Sequence, residues 1–202
     1  YGCAFPTGAG MVLNDIKFKK NNFILILGLG GIGMSSLIAL RAMGHENIIV
    51  LDTSNKKLKI ASKMGVKFTL NAKSKFKEKL YKITGNGVDY CIESAGTTQS
   101  IELGFNLIND AGTLLFASHP KNEEKIQLFP HDLIRGKKIF GSWGGGVKPD
   151  IDIQKIYNLF QKFSVPYNDL IKTSYSLRDI NTALNDLEKG KVFRPIIKME
   201  HK

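Results

Sequence analysis

Apolar positions along this chain follow two patterns. Phe23 to Leu27 and Ile48 to Leu51 are uninterrupted apolar runs, the composition of strands buried on both faces. Shorter or alternating segments at 66–70, 88–93, 112–117 and 137–142 predict four further strands. Between the strands, apolar residues recur at helical spacing. They predict helices over 35–43, 56–64, 74–83, 97–109 and 130–135, with a leading helix over 5–21. Strand and helix alternate as two βαβαβ halves, which implies a doubly wound parallel sheet. Right-handed crossovers then give the strand order 3-2-1-4-5-6. Past the sheet, Gly144-Gly145-Gly146 reads as a flexible joint, followed by a helix over 151–163 and a connector over 166–174. Ser176 is placed to cap a helix over 177–187 that Gly190 closes. Residues 192–198 read as an edge strand or an irregular one, because Pro195 interrupts them. The expected division is a nucleotide domain over 1–168 and a tail over 169–202 that has no place in the sheet.

The first strand runs into Gly28-Leu29-Gly30-Gly31-Ile32-Gly33, and helical composition follows at once. Gly28 allows the tight turn, Gly30 lets a diphosphate approach bare backbone, and Gly33 lets helix and strand pack closely. Gly31 further clears the anion site, and the helix N-terminus offers unpaired amides and partial positive charge. The second strand ends in Asp52, 19 residues beyond Gly33. A carboxylate there accepts both hydrogen bonds of an adenosine ribose diol and repels a 2′-phosphate. Thr53, Ser54 and Asn55 follow, with no arginine to grip such a phosphate, although Lys56 and Lys57 stand near. The pattern predicts NAD rather than NADP.

Charge and composition change this picture little. The net charge is +11, from 29 basic and 18 acidic residues, and only four of the basic residues are arginines. Lysines crowd 56–82 without interleaved aromatic motifs, so they read as solvated helix faces rather than a nucleic-acid surface. No apolar run approaches the roughly 20 residues of a membrane span. No signal peptide is visible, and Cys3 and Cys91 form no disulfide framework. A reducing cytoplasm is the expected location. The first residue is Tyr1, so the expectation is a chain processed or cut from a longer one.

Gly2-Cys3-Ala-Phe-Pro-Thr7-Gly8, the glycine turn, Asp52, Gly85-Asn-Gly-Val-Asp89, Glu93-Ser-Ala-Gly96, Gly112-Thr113 and Gly190-Lys-Val-Phe-Arg194 together resemble the zinc-type, medium-chain alcohol dehydrogenase family. The resemblance covers essentially the whole chain. It implies a Rossmann fold followed by a tail that returns to an N-terminal, barrel-like catalytic domain. It implies hydride transfer between NAD and a small alcohol or aldehyde, with a catalytic zinc. Cys3 falls at the position of the last zinc ligand, and the other ligands have no counterpart here. Thr7 resembles a nicotinamide contact. Ser94 and Ala95 resemble the lining of the adenine-ribose and diphosphate path, and Lys57 a contact at the ribose edge. Ser118 and His119 follow the fifth strand, and Ser142 and Trp143 the sixth. Backbone groups at those two places hold the carboxamide in the family. Arg194 resembles an arginine that returns to the diphosphate. A homodimer through the sixth-strand edge is expected. Bland alternatives stand beside these roles: His45, His119 and His131 as surface histidines, Glu93 as an acceptor for a neighbouring amide, Trp143 as an exposed edge residue. The family also holds two other functions open, a catalytically silent nucleotide module and a zinc-free NADPH reductase.

Overall fold

In the computed structural model, residues 2–163 and 173–199 are described. The predicted boundary at 168/169, most of the 166–174 connector and His201 lie outside them. Six strands, β1 (Ile24–Leu27), β2 (Ile48–Asp52), β3 (Phe68–Asn71), β4 (Val88–Glu93), β5 (Ile108–Phe116) and β6 (Lys138–Gly141), form one parallel sheet. Its order is β3-β2-β1-β4-β5-β6, as the crossover rules predict for a Rossmann fold. Every residue of β1 and β2 is buried, which is why those segments carry no polar alternation. Side chains alternate along β1. Leu25 and Leu27 face a cluster with Ile49, Leu51, Leu80, Ile101 and Phe105. Ile24 and Ile26 are equally buried and lie on the opposite side.

The helices are α1 (Ala4–Gly10), α2 (Gly31–Ala42), α3 (Asn55–Lys63), α4 (Phe76–Thr84), α5 (Thr98–Leu107), α6 (Pro130–Ile134) and α7 (Pro149–Gln161). α1 packs on α2 and α7, with Phe5 edge-on to Phe160 at 6.2 Å. Two hydroxyls of α2 fasten α1 in place: Ser35 Oγ donates to Phe5 O, and Ser36 Oγ to Gly8 O.

Several expectations are corrected here. The leading helix ends well before residue 21. It loosens to a π-turn over Met11–Asp15 and goes extended at Ile16. The cause is competition for its last polar side chains. Asn14 Nδ2 donates to Gly145 O at 2.9 Å, and Asp15 Oδ2 accepts from Ser142 Oγ at 2.6 Å. Gly144–Gly146 is correspondingly not a flexible joint. It is a 3-10 turn with Gly145 buried against α1, too close to Gly10 for a side chain on either residue. The fifth strand begins at Ile108, inside the predicted helix, because Ile108 pairs with Val88 ahead of a register shift. α2 starts at Gly31 rather than residue 35.

His45, expected at the surface, is only 2% exposed. Its ring meets Phe18 edge-on at 4.8 Å, and Nε2 lies 2.9 Å from Asn22 O. A carbonyl can only accept, so that nitrogen carries the proton. Burial lowers the His45 pKa below its ordinary 6.5, with the Asn22 carbonyl partly opposing. The unfolded chain therefore takes up a proton near pH 6.5 that the folded chain refuses until lower pH. Stability is full above about pH 6.5 and falls as the pH drops from there toward the folded value. The melting temperature of the His45→Gln variant should lose less than wild type between about pH 6.5 and 5.

By chain contacts the molecule divides into two units, residues 1–163 and 164–202. In the second unit β7 (Ser174–Ser176) pairs in parallel with β8 (Ile196–Lys198). A 3-10 turn (Leu177–Asp179) and α8 (Ile180–Glu188) stand between them. The predicted cap is corrected: Ser176 Oγ donates to Asp179 Oδ2 and caps no helix amide. Pro195 sits just before β8, where its missing N–H costs no ladder bond.

Candidate functional site

At the carboxyl end of β1 the backbone reverses through Gly28, whose φ is +92°. A side chain there would also lie 2.8 Å from Ala95 N. Gly33 sits where α2 crosses the turn, and a Cβ on it would collide with Gly28 O and reach Ser94 Oγ at 2.6 Å. Gly30, just before α2, has nothing within 4 Å of the place its Cβ would take. Met34 is the first residue of α2 whose amide enters the helix ladder, donating to Gly30 O at 2.9 Å. The amides of Gly31, Ile32 and Gly33 precede it and lie at the positive end of the helix dipole. An open face, three leading amides and no side chain over Gly30 suit a diphosphate.

Asp52 ends β2 beside this turn and is 8% exposed. Its Oδ2 accepts from Leu29 N and its Oδ1 from Ser54 N, both at 2.7 Å. The carboxylate is thus locked in orientation by the glycine turn itself, a link the sequence did not reveal. Each oxygen keeps a lone pair for a ribose hydroxyl. Lys57 Nζ lies 3.8 Å from Oδ2, so the two residues predicted at the ribose edge do come together. These residues fit the adenosine and diphosphate portions of NAD.

At the end of β4, Ser94 Oγ donates to Gly28 O at 2.8 Å, so its hydroxyl braces the glycine turn rather than facing a ligand. Ala95 is exposed and walls Gly28. Glu93 is fully buried and accepts from Ala95 N (2.7 Å), Gly96 N (3.0 Å), Ser100 Oγ (2.7 Å) and Ser118 Oγ. Of the predicted residues beyond β5 and β6, Ser118 is tied to Glu93 and Ser142 to Asp15, which directs both hydroxyls into the protein. His119 and Trp143 meet edge to face at 5.5 Å, and Trp143 is 85% exposed. Glu93 was read as an acceptor for one amide; its tie to Ser118, 25 residues on, has no local signal. The Thr97/Ser100 capping box that opens α5 also escapes the usual pattern, because serine replaces the expected acid.

Thr7 is buried in α1, and its Oγ1 donates to Cys3 O at 2.9 Å. Cys3 is an exposed thiol 4.0 Å from Thr7 Oγ1. Cys91 is the opposite: burial, and secondarily the Glu93 charge, push its thiol well above the ordinary range. Among the described residues no three His, Cys, Asp or Glu side chains gather as a metal site. One thiol does not hold zinc, so the described residues do not by themselves fit that ion. Arg194 is half-buried within the second unit.

The family model described as zinc-binding dehydrogenase matches residues 31–162. Alcohol dehydrogenase 2 of Zea mays is 28% identical over 202 residues, covering 98% of this chain and 53% of its own length. Benzyl alcohol dehydrogenase from Acinetobacter calcoaceticus superposes with a TM-score of 0.90 at 28% identity, covering 98% of this chain and 55% of the other. An alcohol dehydrogenase zinc-binding domain protein from Burkholderia ambifaria gives 0.89 at 30% identity, with 99% and 54% covered. The chain spans about half the length of the curated relatives it matches. It belongs to the zinc-binding dehydrogenase family.

Proposed function

We propose that this chain is the cofactor-binding part of an NAD-linked, zinc-dependent alcohol or polyol dehydrogenase. The observation that carries the reading is the locked Asp52 carboxylate beside the open glycine turn. The amides of Gly31 to Gly33 bind the diphosphate. Asp52 and Lys57 hold the adenosine ribose, and Ala95 borders the path between. Backbone groups at Ser118–His119 and Ser142–Trp143, together with Thr7, place the nicotinamide ring and keep water from its face. Bound NAD supplies the hydride acceptor. Cys3 is one donor of a zinc site whose remaining ligands come from outside the described residues.

Small alcohols or aldehydes are the proposed substrate class, a reading supported by relatives named alcohol dehydrogenase. The proposal includes a homodimer through the open β6 edge, where Phe140 is 53% exposed, and a cytoplasmic location. No helix among the described residues is long and apolar enough to cross a membrane. Calorimetric titration of the chain with NADH and with NADPH tests the reading. Tighter NADH is expected. Tighter NADPH, or no binding of either, refutes it.

A further inference from the structure

Glu93 lies deeper than any ligand path needs, yet it touches three of the segments around the proposed site. It is the last residue of β4, paired with Leu27 on one side and Phe116 on the other. It therefore sits between the strand that enters the glycine turn and the strand that leads to Ser118. An ionised carboxylate is an acceptor with about four lone-pair positions. Four donors reach it: two amides of the 95–96 turn and the Ser100 hydroxyl in the first turn of α5 converge on Oε1, and the Ser118 hydroxyl is on Oε2. With no exposed surface and four protein donors on it, Glu93 acts as a structural acceptor and not as a catalytic group.

The partners of those donors give the network its consequence. The 95–96 turn bears on Gly28, which has no room for a side chain beside Ala95 N. On the other side, Ser118 precedes His119, whose ring rests against Trp143. One buried carboxylate thus spans from the diphosphate turn to the aromatic pair at the ends of β5 and β6.

The geometry points to Glu93 as the positioning residue of the cofactor site: through Ser118 it seats His119 against Trp143 and couples the nicotinamide end to the diphosphate end. This rests on the cofactor reading proposed above. Buried polar groups act as a unit when every member is satisfied, and a site is only as well placed as the groups behind it.

The test uses Ser118→Ala, which removes one donor and leaves the other three in place. Glu93→Gln is the conservative control, because its amide can donate to Ser118 while its oxygen still accepts. Trp143 is the only tryptophan of the chain, so tryptophan emission, excited selectively over the six tyrosines, reports the aromatic pair. For Ser118→Ala we expect a folded chain with a small loss of melting temperature and a shifted Trp143 emission as its contact with His119 is lost. NADH affinity should fall about tenfold, the scale of one lost hydrogen bond to a charged group. Glu93→Gln should stay close to wild type in both readouts. Unchanged Trp143 emission in Ser118→Ala overturns the inference, and so does shifted emission without loss of NADH affinity. A wild-type chain that takes up no NADH refutes the cofactor reading instead, and the emission arm then decides alone whether Glu93 holds the loop.

Discussion

Replacing Gly33 by alanine is expected to abolish measurable NADH binding and to lower the melting temperature. The added methyl would collide with a backbone oxygen, that of Gly28, and not with the far end of a flexible side chain. Ser94 Oγ closes the other direction, since it is itself bonded to Gly28 O. The only relief is to lift α2 off the turn, which moves the leading amides away from the diphosphate. Overpacking of this kind costs about 1–3 kcal/mol. For a domain of this size that is about 2–12 °C in melting temperature. Scanning calorimetry with and without NADH measures both effects. A folded Gly33→Ala chain with wild-type affinity would remove the glycine turn from the site.

Asp52→Ala carries the second large effect. Two charge-assisted bonds to the ribose diol disappear, each worth about 1.5–3 kcal/mol, so NADH affinity should fall by at least about a hundredfold. The same substitution leaves the buried amide of Leu29 without its acceptor, a further cost of about 1–3 kcal/mol to stability. NADPH should lose far less, because the carboxylate that repels its 2′-phosphate is gone as well. The preference for NADH over NADPH therefore narrows or inverts, and fluorescence titration of both nucleotides reads it directly. An unchanged preference would mean that Asp52 does not face the ribose.

The parts of this structure that a local pattern controls were legible in the amino-acid sequence. β1 and β2 had to be central, because residues 24–27 and 48–51 are apolar on both faces. Once the strands alternated with helices, the handedness of crossovers left one sheet order, and that order is found. The glycine spacing and Asp52 were visible for the same reason: each residue type answers a constraint set within a few positions.

What escaped depends on partners far along the chain. The leading helix has helical composition to residue 21, yet it ends at Asp15 because Asn14 and Asp15 bond the turn at 142–145. The three glycines at 144–146 suggested freedom, but Gly145 packs too closely on α1 to carry a side chain. Asp52 was read for its outward face, while its inward bond to Leu29 N had no signature. His45 looks like any loop histidine until Phe18 and Asn22 close over it. The pairing of 174–176 with 196–198 joins segments that share no periodicity, and only the folded second unit brings it out.

Bare amides at the start of α2 and one orientated carboxylate at the end of β2 are the physical core of this reading. A crystal of the chain soaked in NADH examines both at once. The account predicts a diphosphate over Gly30 to Gly33 and both adenosine ribose hydroxyls on Asp52. An empty groove in a crystal that otherwise holds the nucleotide, or a ribose turned away from Asp52, would contradict it.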